Sequence, residues 1–215
     1  MYFAIEGVIG VGKTTLARKL QTAFAANLML EVFEENPFLS SFYSDRARYA
    51  FQTQIFFLLS RYQQQRRNVP ELLRSGAHLI SDYTFEKDAL FAGINLQGDE
   101  LTMYERVQEA LAEKIPLPDL IVYLRASTDT LMQRIALRDR SYERSMERSY
   151  IDQLNQAYDR FFLERTQRVP VLTIETDGLD YVRHPEDLAW IENRIRQALQ
   201  LPPFQPELPM PQHCG

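Results

Sequence analysis

Residues 7–14 read Gly-Val-Ile-Gly-Val-Gly-Lys-Thr, a GxxxxGK[ST] octet only six residues into the chain. The chemistry that this spacing serves is the holding of nucleotide phosphates. Gly7, Gly10 and Gly12 let the backbone curl until its N–H groups converge on phosphate oxygens. Lys13 then reaches the β- and γ-phosphates, and the Thr14 hydroxyl reaches Mg²⁺. Val8, Ile9 and Val11 contribute backbone to the same cradle, and Thr15 continues it into the next element. The apolar run Tyr2-Phe3-Ala4-Ile5 before the octet and the helical pattern after it supply the strand–turn–helix context the motif requires.

Four further groups of residues have chemistry-bearing types. Gln54 and Arg61 lie seven residues apart, about 10 Å along one helix face. With Phe51, Phe57 and Leu58 they suit the wall of a pocket for a flat polar ring, or else an amphipathic helix with two solvated polar groups. Asp82, in Asp82-Tyr83-Thr84, suits either a Mg²⁺ ligand or a helix N-cap, and Asp88 suits a partner for Arg61 in base recognition. Arg134, Arg138, Arg140 and Arg144, with Glu143 and Arg148 nearby, read as a lid of planar donors closing on a transferring phosphoryl group, or as a solvated charged helix. Glu34 and Glu35 stand at the expected end of a second strand. A carboxylate there can take a proton from an attacking hydroxyl, but strand side chains alternate, so only one of the two faces the substrate.

The elements that must position these residues follow from the apolar runs. Five short ones read as buried strands: Tyr2–Ile5, Met29–Phe33, His78–Ser81, Leu120–Leu124 and Val171–Ile174. Helical segments separate them, which predicts an α/β fold with a parallel sheet and helices on both faces. Ligands of such sheets bind beyond the carboxyl ends of the strands, where Glu34, Glu35 and Asp82 join the phosphate loop. Long helices are expected over about 46–67 and 145–168. From Leu201 onward five prolines in fifteen residues mark a tail. The chain therefore divides into one domain over 1–200, with a lid at about 138–144, and a proline-rich tail over 201–215.

At 215 residues, 45% of them apolar and 25% charged, the chain is long enough for one well-packed core. Its net charge of −5 argues against broad nucleic-acid or membrane binding, but not against a local phosphate site. The single cysteine, Cys214, precludes an internal disulfide and fits a cytoplasmic protein, and a start directly on a strand predicts no secretory leader.

Taken in order, these motifs resemble the deoxynucleoside kinases, and within them the bacterial deoxyguanosine/deoxyadenosine kinase branch. The resemblance runs from Met1 to about Leu199. It implies a P-loop kinase fold with a five-stranded parallel sheet and an Arg-rich lid, phosphorylating the 5′-hydroxyl of a small-molecule deoxynucleoside with ATP and Mg²⁺. It implies that Gly7 to Thr14 bind the donor's phosphates and that Glu34 is the general base. Tyr43, eleven residues before Gln54, and Glu143 would meet the 3′-hydroxyl. Gln54, Arg61 and Asp88 would read the base, and Asp82 would stand near Mg²⁺. Arg134, Arg138 and Arg140 would act as lid arginines, with Asp177 in the loop near the donor's adenine. A homodimer and a purine preference are implied as well. One position departs from the pattern: many members carry arginine after the motif's acidic residue, and here it is Tyr83, which supplies no positive charge.

Two rival readings remain open on the sequence. A nucleoside monophosphate kinase similar to thymidylate kinase would share the architecture, but needs acceptor-side arginines where this chain concentrates its own in the lid region. A nucleotide-switch module would need no acceptor and would leave Gln54, Arg61 and Asp88 without a purpose.

Overall fold

The computed structural model describes residues 1–32, 35–144, 146–164 and 168–203. Its centre is a sheet of five parallel strands in the order β2-β3-β1-β4-β5. They are β1 (Tyr2–Glu6), β2 (Ala26–Met29), β3 (His78–Ser81), β4 (Leu120–Arg125) and β5 (Val171–Glu175). β1 lies between β3 and β4, with Phe3 beside Ile80 and Ile5 beside Val122. All five residues of β1 are buried, as a parallel strand covered on both faces requires.

Alternation along β1 divides the core. Phe3 and Ile5 join the main cluster, together with Leu16 and Leu20 of α1 (Lys13–Ala23). Tyr2 and Ala4 face the other way, into a smaller cluster with Met29, Leu79, Tyr83 and Val69 of α3 (Arg46–Arg74). The period of two thus hands successive side chains to helices on opposite sides of the sheet.

Three element boundaries differ from the sequence expectation. β2 covers Ala26–Met29 and not Met29–Phe33. It is an edge strand, paired with β3 from Ala26 beside His78 to Met29 beside Ser81. Pairing to β3 sets its register, and the apolar residues beyond Met29 belong to the segment leaving the sheet. α3 continues past the expected 67 to Arg74, through Pro70. A proline inside a helix forfeits one backbone bond, but Val69 is fully buried, and Leu72 and Leu73 pack on the Tyr83 cluster, so tertiary packing carries the helix through. In place of one helix over 145–168, α7 spans Arg148–Asp159 and widens into a π-turn over Arg160–Glu164. There Phe162 stacks on Tyr123 of β4, with ring centroids 4.9 Å apart.

The remaining helices are α2 (Leu39–Ser44), α4 (Lys87–Asn95), α5 (Gly98–Ala112), α6 (Thr128–Arg138) and α8 (Pro185–Ala198). Ser127 caps α6 by accepting the Thr130 N–H, and Asp139 ends it in the left-handed conformation. Among the described residues no helix is long and apolar enough to cross a membrane. Of the proline-rich tail, residues 204–215, Cys214 included, lie outside the described residues.

Candidate active site

The phosphate loop connects β1 to α1, and its glycines are required by the packing. Gly7 has φ +146°, and a Cβ there would overlap the Leu124 carbonyl oxygen. Gly12 has φ +106° beside the Tyr181 hydroxyl, which bonds to the carbonyls of Val11 and Gly12. Val8 and Val11 are buried, which turns the loop's backbone, and not these side chains, outward. Lys13 donates to the Gly7 carbonyl at 2.6 Å and to that of Val8 at 3.2 Å. Burial, reinforced by the charge of Lys87, lowers the Lys13 pKa to about 8.

Beneath the loop, the buried Glu6 accepts from Thr84 N–H at 2.5 Å, Thr84 Oγ1 at 3.0 Å and Gly7 N–H at 3.2 Å. Burial raises its pKa, against the opposing pull of Lys87 and Lys13.

Asp82 follows β3 and is not a helix N-cap, since α4 begins at Lys87 with Glu86 before it. One of its oxygens accepts from the Thr14 hydroxyl. The other accepts the Glu31 N–H at 2.8 Å. A hydroxyl and a carboxylate at the mouth of a phosphate loop are hard oxygen donors of the kind Mg²⁺ takes when substrate phosphates and water complete its shell. Among the described residues no group of three or more His, Cys, Asp or Glu is placed to hold a metal ion. Thr14 and Asp82 therefore fit a phosphate-borne ion and not a cage made by protein alone.

Beside the loop lies a cavity of about 280 Å³. Besides Asp82 and Glu143, the carboxylate lining it is Glu31, two residues past β2, which sequence reasoning did not single out. Glu31 pairs with Arg61 through one oxygen and with Lys87 Nζ, at 2.7 Å, through the other. Burial works to raise its pKa, but these two cations outweigh that and hold it well below the usual carboxylate range. Glu34 lies outside the described residues, and Glu35 is exposed. The signal for Glu31 was present: an acidic residue interrupts the apolar run Leu28-Met29-Leu30-Glu31-Val32, and a strand read through it hides the carboxylate.

Gln54 and Arg61 do share one face of α3, both are buried, and both line the cavity. The solvated-helix alternative is thereby set aside. Phe57 stands between them, its ring centroid 4.5 Å from the Arg61 guanidinium carbon. Asp88 bonds Arg61 from behind and is almost wholly buried, so it orients the guanidinium without itself lining the cavity. Tyr43 lines the opposite side, stacked on Tyr142 with centroids 5.9 Å apart.

Two of the arginines expected in a lid stand at the end of α6 and in the turn that follows it. Arg138 and Arg140 line the cavity. Arg138 donates to both oxygens of Glu143, at 2.6 Å each, and Glu143 is itself buried at the rim. Arg144 instead pairs with Asp139 at the surface, and Arg148 with Asp129. Arg134 is not in the cavity. It clamps the backbone, donating to Val11 O at 3.2 Å, Thr176 Oγ1 at 3.0 Å and Thr176 O at 2.7 Å, which ties the phosphate loop to the turn after β5. Asp177 in that turn accepts the Ser127 N–H at 2.9 Å and joins it to the start of α6. Lys87 and Tyr142 also line the cavity, and neither was expected there from the sequence.

The arrangement sets a glycine-rich phosphate loop, the Thr14 hydroxyl beside the Asp82 carboxylate, the paired Glu31 carboxylate and an aromatic-walled slot with Gln54 and Arg61 around one cavity. Residues 3–200 match the family model described as Deoxynucleoside kinase. The chain is 34% identical to deoxyguanosine kinase of Bacillus subtilis over 201 residues, covering 92% of this chain and 97% of that one. It is 33% identical to deoxyadenosine kinase of Dictyostelium discoideum, covering 87% and 76%. Among solved structures, deoxyadenosine kinase from M. mycoides with bound dATP superposes with a TM-score of 0.80 at 26% identity, covering 91% of this chain and all of that one.

Proposed function

The chain belongs to the deoxynucleoside kinase family, and we propose that it transfers the γ-phosphoryl group of ATP to the 5′-hydroxyl of a purine deoxynucleoside, with Mg²⁺, in nucleotide salvage. The observation that carries the acceptor assignment is Glu31, a carboxylate kept ionised by Arg61 and Lys87 on the wall of a cavity shared with the phosphate loop. We infer that Glu31 is the general base. In a loose transition state the hydroxyl proton leaves late, so a carboxylate of depressed pKa suffices.

Lys13 and the loop amides hold the donor's phosphates, and Arg138 and Arg140 meet the charge that develops on the transferring group. Thr14 and Asp82 would hold the metal ion, whose chemistry is to neutralise charge on the phosphates. Gln54 and Arg61 read the base edge with Asp88 behind them, Phe57 packs against the base, and Tyr43 with Glu143 receives the sugar's 3′-hydroxyl. Arg134 and Asp177 act through the donor side, by fixing the loops around it. The purine preference is supported by relatives named deoxyguanosine and deoxyadenosine kinase. A homodimer, a cytoplasmic location and a kinase domain ending near residue 200 belong to the same reading.

Acidic partners on Arg61 from both sides disfavour an acceptor that already carries a phosphate, which argues against a monophosphate kinase. The decisive experiment supplies the four natural deoxynucleosides and thymidine monophosphate with Mg·ATP and scores the phosphorylated product. Deoxyguanosine or deoxyadenosine is expected to give the most 5′-monophosphate. Preferential phosphorylation of the monophosphate, or ATP hydrolysis indifferent to every acceptor, would overturn the proposal.

A further inference from the structure

We propose that Lys87 is a catalytic residue that supplies the positive charge at the junction of acceptor hydroxyl and transferring phosphoryl group, a charge that position 83 does not provide. Tyr83 is fully buried in the smaller core cluster with Tyr2, Met29, Leu79 and Val69. Its hydroxyl donates to Gln64 Oε1 at 2.6 Å, and Gln64 Nε2 donates in turn to the Leu30 carbonyl at 3.0 Å. Tyr83 therefore props the segment that carries Glu31 from beneath and adds no charge to the cavity.

The described cations lining the cavity are Lys13, Arg61, Lys87, Arg138 and Arg140. Lys13 serves the loop, Arg61 is shared between Glu31 and Asp88, and Arg138 and Arg140 contact Glu143 at the lid. Lys87 opens α4, is 5% exposed, and reaches Glu31 from the side opposite to Arg61's oxygen. It shares the cavity wall with Glu31 and with Lys13 and Thr14 of the phosphate loop. Its stem passes Phe91, with the ammonium 5.9 Å from the ring centroid. A buried ammonium with three rotatable donors at that point has one bond to Glu31 and donors left for oxygens of the acceptor and the γ-phosphoryl group.

In the transfer, the 5′-oxygen forms its bond to the γ-phosphorus as the bond from that phosphorus to the β–γ bridging oxygen breaks. The hydroxyl proton passes to Glu31, and ADP leaves with the bridging electron pair. Charge grows on the oxygens around phosphorus next to the Lys87 ammonium, which is fixed in place beforehand. The ion pair has a purely structural reading as well, in which Lys87 only neutralises Glu31. The two readings differ in what removal of Lys87 does to turnover, because Glu31 keeps Arg61 as a partner.

The test compares Lys87→Met, Lys87→Gln, Lys87→Arg and Glu31→Gln with the wild type, using deoxyguanosine, deoxyadenosine and Mg·ATP. The methionine and glutamine variants are expected to lose about 10²–10³ in kcat, the size of losing one preorganised charge donor, while KM for the nucleoside changes less than about fivefold and ATP raises the melting temperature as in the wild type. Lys87→Arg is expected to recover at least about a tenth of wild-type kcat, since it restores the charge on a different fork. Wild-type-like kcat in either neutral variant overturns the inference, as does an arginine variant no better than methionine. Should the methionine variant not fold, the glutamine variant decides alone. If neither neutral variant shows the ATP-induced rise in melting temperature, Lys87 is a structural counter-ion and the inference fails. The inference rests on the acceptor-kinase reading but not on the identity of the base: an active Glu31→Gln beside an inactive Lys87→Gln removes the base assignment and leaves Lys87 standing.

Discussion

At the scale of single residues, charge arrangement decides what each group can do. Glu31 is held ionised by Arg61 and Lys87, so Glu31→Gln is expected to lower turnover by about 10² to 10⁴ while ATP still raises the melting temperature. Steady-state kinetics with thermal shift checks both parts, and near-normal turnover would remove Glu31 as base. Lys13 behaves oppositely. In the free protein burial and Lys87 bring its pKa down to about 8, whereas a bound triphosphate favours the charged form and lifts it again. Nucleotide binding near pH 8 to 9 should therefore take up protons, and ATP affinity should weaken as pH rises through about 8. Calorimetry in two buffers of different ionisation enthalpy reads this directly; proton release on binding would contradict it. Gln54 and Arg61 were legible in the sequence because a seven-residue spacing fixes a shared helix face. Glu31 and Lys87 were not. One sits inside what reads as a continuous apolar run, and the other inside Glu86-Lys87-Asp88, which reads as a solvated charge cluster until the fold buries it.

At the scale of elements, the turn after β1 is fixed by what packs behind it. Gly7→Ala places a methyl against the Leu124 carbonyl at a φ that L side chains rarely adopt. The strain is of order 1–3 kcal/mol, so a lower melting temperature and loss of the ATP-induced shift are expected; an unchanged melting curve would show that β4 yields at that point. Four of the five expected strands correspond closely to the observed ones, because buried parallel strands are short unbroken apolar runs. β2 was displaced by three residues for a physical reason. An edge strand needs only one apolar face, and its limits are set by pairing with β3, which no local pattern records. The far end of α3 is set in the same way: proline marks a helix end by local rules, yet α3 continues through Pro70 because its far turn is anchored in the core around Tyr83.

At the scale of the whole molecule, the α/β class and the site's position beyond the strand ends were both readable from the alternation of strands and helices. Which turns face each other across the cavity was not, since strand order 2-3-1-4-5 joins residues as distant as Val11 and Arg134. Association is a property of this scale. Met103 and Val107, one turn apart on α5, are 58% and 37% exposed, and Leu59 on α3 is 43% exposed. Such apolar side chains suit an interface between copies of the chain. Light scattering is expected to give twice the 25.2 kDa of one chain. Met103→Glu with Val107→Glu should halve that mass, and a wild type that runs as a monomer at micromolar concentration would dispose of the homodimer.

Asp82 touches the Thr14 hydroxyl with one oxygen and the amide of residue 31 with the other. A single carboxyl group thus bridges the two halves of a bisubstrate enzyme, and whatever turns it to meet a divalent ion is felt by the peptide that carries the proposed proton acceptor. Asp82→Asn should consequently shift the Michaelis constants of nucleotide and nucleoside together, in an interlocked manner that two-substrate initial-rate patterns would expose; a change confined to the nucleotide would mean that the two compartments operate independently.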